Sequence, residues 1–356
     1  MTAGQVRVPL VALGMLALLA GLWAGLIRIG WPLPPVQSVL PAAHGPLMIS
    51  GFLGTLIGLE RAVAFGRPAA YAIPLLSGLG GLALLLGVPA PTAPALMTLG
   101  GAGLTAIFAA GVAHHPSFST GVMGIGALVW TAGNALWLAG TPVYEAVSWF
   151  VGFLLLTVVG ERLELSRLAR PAPMSRGVFL TAVCIYLAGL FLTLGDPRTG
   201  ARLEGLGMLG LALWLLRFDI ARYTVRQAGL PRFIAISLLS GYVWLGIAGV
   251  LWIAFGGSIA GPFYDAMVHS LFLGFVFAMI FAHAPIILPA VAGGTVPYRA
   301  DFYAPLALLN LSLIVRLYGD LDGNGDLRRW GGLLGAAAVL AFLGNTMRTA
   351  PAARRR

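Results

Sequence analysis

From Val8 to the end of the chain, apolar runs of about 20 residues follow one another with only short polar breaks, and no other feature constrains the fold as tightly. A helix of that length, rising ~1.5 Å per residue, matches the ~30 Å hydrocarbon core of a bilayer. Lipid offers no hydrogen bonds, so a spanning segment must satisfy its own backbone as a helix or join a closed barrel, and barrel strands need only ~10 residues. Taking one crossing per run predicts helices near 8–27, 40–60, 70–88, 94–113, 119–139, 144–160, 177–195, 203–217, 233–255, 264–289, 302–318 and 330–347. The expected fold is all-α: a polytopic integral membrane protein of about twelve transmembrane helices, forming a single bundle over residues 1–356.

Composition agrees. The chain is 59% apolar and 10% charged, with mean hydropathy +0.91, against about 45–50% and 25% in soluble domains, so it cannot furnish a water-soluble surface. Its 49 glycines and 23 prolines fit transmembrane helices, where small residues let backbones approach closely. The run after Arg7 could pass for a signal peptide; its length and the lack of a small-x-small cleavage site make it a retained first span. Cys184 is the single cysteine, which excludes an intramolecular disulfide, a CxxC zinc site and a CxxCH haem attachment.

The net charge of +10 comes from arginine, since the sequence has no lysine. Its placement argues for topology rather than nucleic acid, because short cytoplasmic loops are enriched in basic residues. With the N-terminus inside, the cytoplasmic segments carry Arg7, Arg61, Arg67, Arg162, Arg167, Arg170, Arg176, Arg217, Arg222, Arg226, Arg232, Arg299, Arg348, Arg354, Arg355 and Arg356; the outer set is Arg28, Arg198, Arg202, Arg316, Arg328 and Arg329. Both termini are thereby expected on the cytoplasmic side. No motif recurs at matching places in two six-helix halves, so an inverted-repeat transporter has no direct support.

An ionisable side chain inside a span is costly and marks function by default, which singles out the histidines. His44 stands about a turn into the second helix and His269 at similar depth in the tenth, both near the outer surface. Two imidazoles at matched depth are what a bis-histidine haem requires, whereas a bare metal ion would ask for further ligands. The alternative is a pair of interfacial histidines bonded to backbone or water. Gly51, Thr55 and Gly58 share His44's stripe and leave room for a cofactor or for a neighbouring helix. His283 lies on nearly the same face as His269 and about 21 Å deeper, where a second haem could use it with His114 or His115, or Glu60 could pair with it. Beside Pro116, His114 and His115 also fit a solvated helix end. Arg316, in the last turn of the eleventh helix, could hold haem propionates, or pair with Asp320 one turn on.

The outer segment with Asp320, Asp322, Asn324 and Gly325 matches the first half of a calcium loop, but Gly331 stands where the bidentate glutamate belongs, so a polar turn is the default through Asp326. Asn134 and Asn310 are expected to hydrogen-bond between helices, and Tyr264 with Asp265 to start a helix at the interface. Trp31, Trp137, Trp149, Trp214, Trp252 and Trp330 fall near predicted span ends and are expected as interfacial anchors.

The stretch HGPLMISGFLGTLIG around His44 resembles the histidine-containing second helix of the NnrS family, and VHSLFLGFVFAMIFAHAP around His269 and His283 resembles that family's later helix. Both are more distantly similar to the haem-copper oxidase and nitric oxide reductase superfamily, whose helices 2 and 10 ligate a low-spin haem. The two motifs cover roughly 40 residues, and helix number and chain size fit over the remainder. The resemblance implies a multi-pass protein of the bacterial inner membrane, carrying haem b (one or two) and admitting copper, linked to the response to nitric oxide. His44 and His269 would be the axial ligands, with His283 a deeper histidine of open role. Helices 6 and 7 contain no histidine, so a complete haem-copper centre cannot be assembled, and ERAVAFGR follows the second helix in place of the family's aromatic and small-residue pattern.

The leading expectation is a haem protein acting in electron transfer or in handling a small diatomic gas, with quinol or a small redox protein as donor, in contact with membrane lipid and with no nucleic-acid partner. Enzymatic oxidoreductase activity is left open. The rivals are a cofactor-free proton-coupled transporter and a non-catalytic subunit of a respiratory complex.

Overall fold

The computed structural model describes residues 3–166, 173–292 and 297–349, and these contain helices and no strand. Each of the twelve expected segments is helical: α1 (Ala3–Arg28), α2 (Leu40–Phe65), α3 (Ala72–Leu85), α4 (Thr92–His114), α5 (Phe118–Leu138), α6 (Val147–Ser166), α7 (Pro173–Leu192), α8 (Pro197–Phe218), α9 (Leu230–Phe255), α10 (residues 261–292), α11 (Tyr303–Asp322) and α12 (Gly325–Thr349). Ten of them are long and apolar enough to cross a membrane, among the described residues. The two that fall short are α6, which carries Glu161, Arg162 and Glu164, and α8, which carries Arg198, Arg202, Glu204 and Arg217. Arg167, Arg170, Arg354, Arg355 and Arg356, which weigh in the topology, lie outside the described residues.

Where a single bundle was expected, the chain forms two compact units, Met1–Thr157 with Ile287–Gly293, and Val158–Ile286 with Gly294–Arg356. In the first, α1, α2 and α3 pack on one another, and α3, α4 and α5 follow as consecutive neighbours. Its polar core joins α2 to α5. Ser50 donates to Asn134 Oδ1 (3.2 Å) and accepts from Trp130 Nε1 (2.9 Å), while Asn134 Nδ2 donates to the Trp130 carbonyl (2.9 Å). Trp130 stacks on Phe153 with ring centroids 4.6 Å apart. In hydrocarbon such groups must find partners within the protein, which is the role expected of Asn134.

In the second unit α7 through α12 pack as consecutive neighbours. The α7–α8–α9 layer is held by glycine: a Cβ on Gly207 would lie 2.6–2.7 Å from Tyr186 Cβ, Cα and N, so only hydrogen permits that approach. Asp196 caps α8; the Thr199 hydroxyl and backbone N–H bonded to its carboxylate hold that carboxyl below its ordinary range. Asn310 accepts from Trp244 Nε1 at 2.9 Å, joining α11 to α9 as an interhelical hydrogen bond.

Three tryptophans depart from expectation. Trp149, Trp214 and Trp252 are 6%, 2% and 1% exposed and fill helix packing rather than anchoring at an interface; Trp214 Nε1 spends its hydrogen on the Ser175 carbonyl at 2.7 Å. Trp330 is 55% exposed.

Candidate functional site

His44 sits where α2 changes from a 3-10 turn (Leu40–Ala43) through one α turn (His44–Pro46) into a π-helix (Leu47–Leu53). Its imidazole lies against the backbone of α1. A Cβ on Gly25 would stand 2.8 Å from His44 Cε1 and 2.9 Å from Nδ1, so the glycine is what seats the ring. The Nδ1 lies 2.7 Å from the Gly21 carbonyl oxygen. Since a carbonyl can only accept, Nδ1 carries the hydrogen, and the neutral ring then has its lone pair on Nε2.

The expected small-residue stripe below His44 is taken up by helix packing. A Cβ on Gly51 would meet Ala17 Cβ at 3.1 Å and Gly81 Cα at 3.3 Å, and one on Gly58 would meet Ile73 Cγ2 at 2.9 Å.

His269 belongs to the second unit and ends the first α segment of α10 (Gly261–His269), directly before a second π-helix (Ser270–Val276). Its Nδ1 lies 3.0 Å from the Asp265 carbonyl and 3.2 Å from Asp265 Oδ1. Both are acceptors, so Nδ1 carries a hydrogen here as well. Asp265 is fixed in turn by Arg316, whose Nε and Nη2 donate to its two carboxylate oxygens at 2.7 and 2.8 Å. Arg316 is thus bidentate on Asp265 in α10, rather than on Asp320 one turn along its own helix. A guanidinium matches a carboxylate in this way with two charge-assisted bonds.

His283, also in the second unit, has Nδ1 2.7 Å from the Met279 carbonyl. His114 ends α4 and His115 follows as an exposed residue, as a solvated helix end requires. Glu60 pairs with Arg61 at 3.6 Å. The polar segment before α12 is a tight turn between helices. Gly323 takes a left-handed conformation (φ 73°), and Asn324 Oδ1 accepts from the Leu327 N–H at 3.1 Å. Asp320 is turned inward, 2% exposed, facing Arg328 Nε at 3.9 Å. The described residues contain no group of three or more His, Cys, Asp or Glu arranged to hold a metal ion.

Buried charge that sequence reading passed over is concentrated in the second unit. Arg162, from the end of α6, donates through Nε and Nη2 to Asp219 Oδ2 and Oδ1, both at 2.8 Å, with side chains 4% and 0% exposed. Glu204 in α8 is fully buried. Asp265, expected only to open a helix, is the hub for Arg316 and His269. One signal for Arg162 is present in the sequence: Gly152-Phe153-Leu154 is followed by Glu161-Arg162 at the spacing by which Gly51-Phe52-Leu53 is followed by Glu60-Arg61.

One family model matches the chain, that of a domain of unknown function, DUF8744, over residues 7–351. The chain belongs to the DUF8744 family. The match takes in residues of both compact units. No curated protein and no solved structure matches it.

Proposed function

We propose that this DUF8744 protein is a multi-pass haem protein of the bacterial cytoplasmic membrane, with twelve crossings, both termini inside, and His44 and His269 as axial ligands of a haem b near the outer face. One observation carries the reading: in each histidine Nδ1 is tied to a carbonyl, which places its hydrogen there and supports ligation through Nε2. Metal-ligating histidines are held in this way, their second nitrogen donating to a carbonyl or carboxylate that fixes ring and tautomer. The π-helices beside both residues are a second support, since such segments concentrate at functional positions. Each imidazole by itself is therefore held as a haem-ligating histidine is. A haem held by these two imidazoles would supply one-electron transfer. The chain's own part is to orient the rings through Gly21, Gly25 and Asp265. His283, with its own Nδ1 tie, fits a second haem or copper, and Arg316 would act through Asp265.

The buried Asp265–Arg316 and Arg162–Asp219 pairs and Glu204 favour a second reading, a proton-coupled transporter without cofactor, because charges inside spans line substrate and proton paths. An optical spectrum separates the two. Detergent-purified protein should show a Soret band and reduced haem b bands, and His44→Ala and His269→Ala should each lose them. A colourless preparation from haem-replete cells would remove the haem assignment and leave the transporter; unchanged haem in both variants would remove His44 and His269 as its ligands.

A further inference from the structure

We propose that the connector between α8 and α9, together with the first turn of α7, is a binding surface for the headgroup of an anionic phospholipid. Four arginines lie within this short connector and its flanks: Arg217 in the last turn of α8, Arg222 in a one-turn helix (Ala221–Thr224), Arg226, and Arg232 in the first turn of α9. Arg217, Arg226 and Arg232 are exposed. Asp219 is the one acid among them, and it is withdrawn: its side chain is 0% exposed, both oxygens accept from Arg162, and Oδ1 also accepts from the Ala221 N–H at 2.7 Å. The outward charge of the connector is therefore wholly positive. The bond from Trp214 to the Ser175 carbonyl brings the start of α7, with exposed Arg176, to the same end of the layer. Tyr223, 56% exposed, stands among the arginines.

Depth selects a lipid. α7 and α9 are both candidate spans, beginning at Met174 and Leu230, so the arginines adjoin the ends of hydrocarbon-length helices, where headgroups lie. Basic clusters in this position recognise anionic lipid, at about fivefold in affinity per residue. The inference is independent of the haem reading.

The test is native mass spectrometry of the full-length protein in detergent, titrated with phosphatidylglycerol or with phosphatidylcholine of the same acyl chains. The wild type should prefer phosphatidylglycerol, and the preference should fall as salt rises. Arg217→Gln/Arg226→Gln/Arg232→Gln should weaken phosphatidylglycerol binding by up to about a hundredfold. Arg67→Gln/Arg198→Gln/Arg202→Gln, which removes equal charge elsewhere, should retain it. Equal affinity for the two lipids, equal loss in both variants, or displacement by inorganic phosphate at constant ionic strength would overturn the proposal. If the triple variant does not fold, a salt-independent preference in the wild type overturns it as well.

Discussion

Asp219→Asn is the most demanding perturbation of the second unit, because it changes one atom in a site that excludes water. Two charge-assisted bonds of 2.8 Å join Arg162 to Asp219, each contributing roughly 1.5–3 kcal/mol. In the variant Oδ1 still serves the Ala221 N–H and Arg162 Nη2, but an amide nitrogen replaces Oδ2 and presents hydrogens to Arg162 Nε. The guanidinium, 4% exposed, is then a buried cation without a counter-charge. Removing one member of such a pair costs about 3–5 kcal/mol, whereas removing both charges is often nearly neutral. Equilibrium unfolding in mixed micelles, followed by tryptophan fluorescence, should therefore show Asp219→Asn destabilised by about 4 kcal/mol. Adding Arg162→Met should restore at least about 2 kcal/mol of that, a coupling only contacting residues produce. A loss below about 1 kcal/mol for the single variant, or no recovery in the double, would refute the claim that these two charges compensate each other in a dry site.

Three further outcomes follow from packing and charge. Gly25→Ala places a methyl 2.8 Å from His44 Cε1; it should cost about 1–3 kcal/mol by overpacking and lower haem content, read from the Soret band per protein. Gly207→Ala, with its methyl 2.6 Å from Tyr186 Cβ, should destabilise by a similar ~1–3 kcal/mol, while Gly177→Ala in α7, where nothing lies within 4 Å, should be neutral or up to ~1 kcal/mol stabilising in the same unfolding assay. Asp265→Asn should cost about 3 kcal/mol, the low end for a pair whose side chains are 17% and 8% exposed, and a stability unchanged from wild type would contradict the Arg316 pairing.

The helices were legible in the sequence because their signal is local: hydrocarbon thickness sets a run length, and all twelve runs are helical. What composition could not give was where the charges of α6 and α8 would lie. In α6 and α8, Arg162 and Glu204 are buried by packing, a non-local property that hydropathy scores as exposure to be avoided. Trp214 shows the same limit, since its position near a predicted end suited an anchor, yet the Ser175 carbonyl gave its N–H a buried partner. The histidines stood out because ionisable groups are rare in spans. Their anchoring could not be read, because Gly21 lies 23 residues from His44, and Arg316's choice of Asp265 over Asp320 joins residues 51 apart.

The recurrence of one motif bears on His283. Gly51-Phe52-Leu53, Gly152-Phe153-Leu154 and Gly274-Phe275-Val276 stand in α2, α6 and α10, and the Gly and Phe of each are buried. Nine residues beyond the glycine comes Glu60, Glu161 or His283, and next after these Arg61, Arg162 or Ala284. The same step of the motif thus carries a titratable group in three helices, but only the two with a carboxylate also carry an arginine. A carboxylate in a low-dielectric site needs a counter-charge, whereas a neutral imidazole does not. His283, its Nδ1–H on the Met279 carbonyl, keeps a polar atom where α10 has dispensed with the charge.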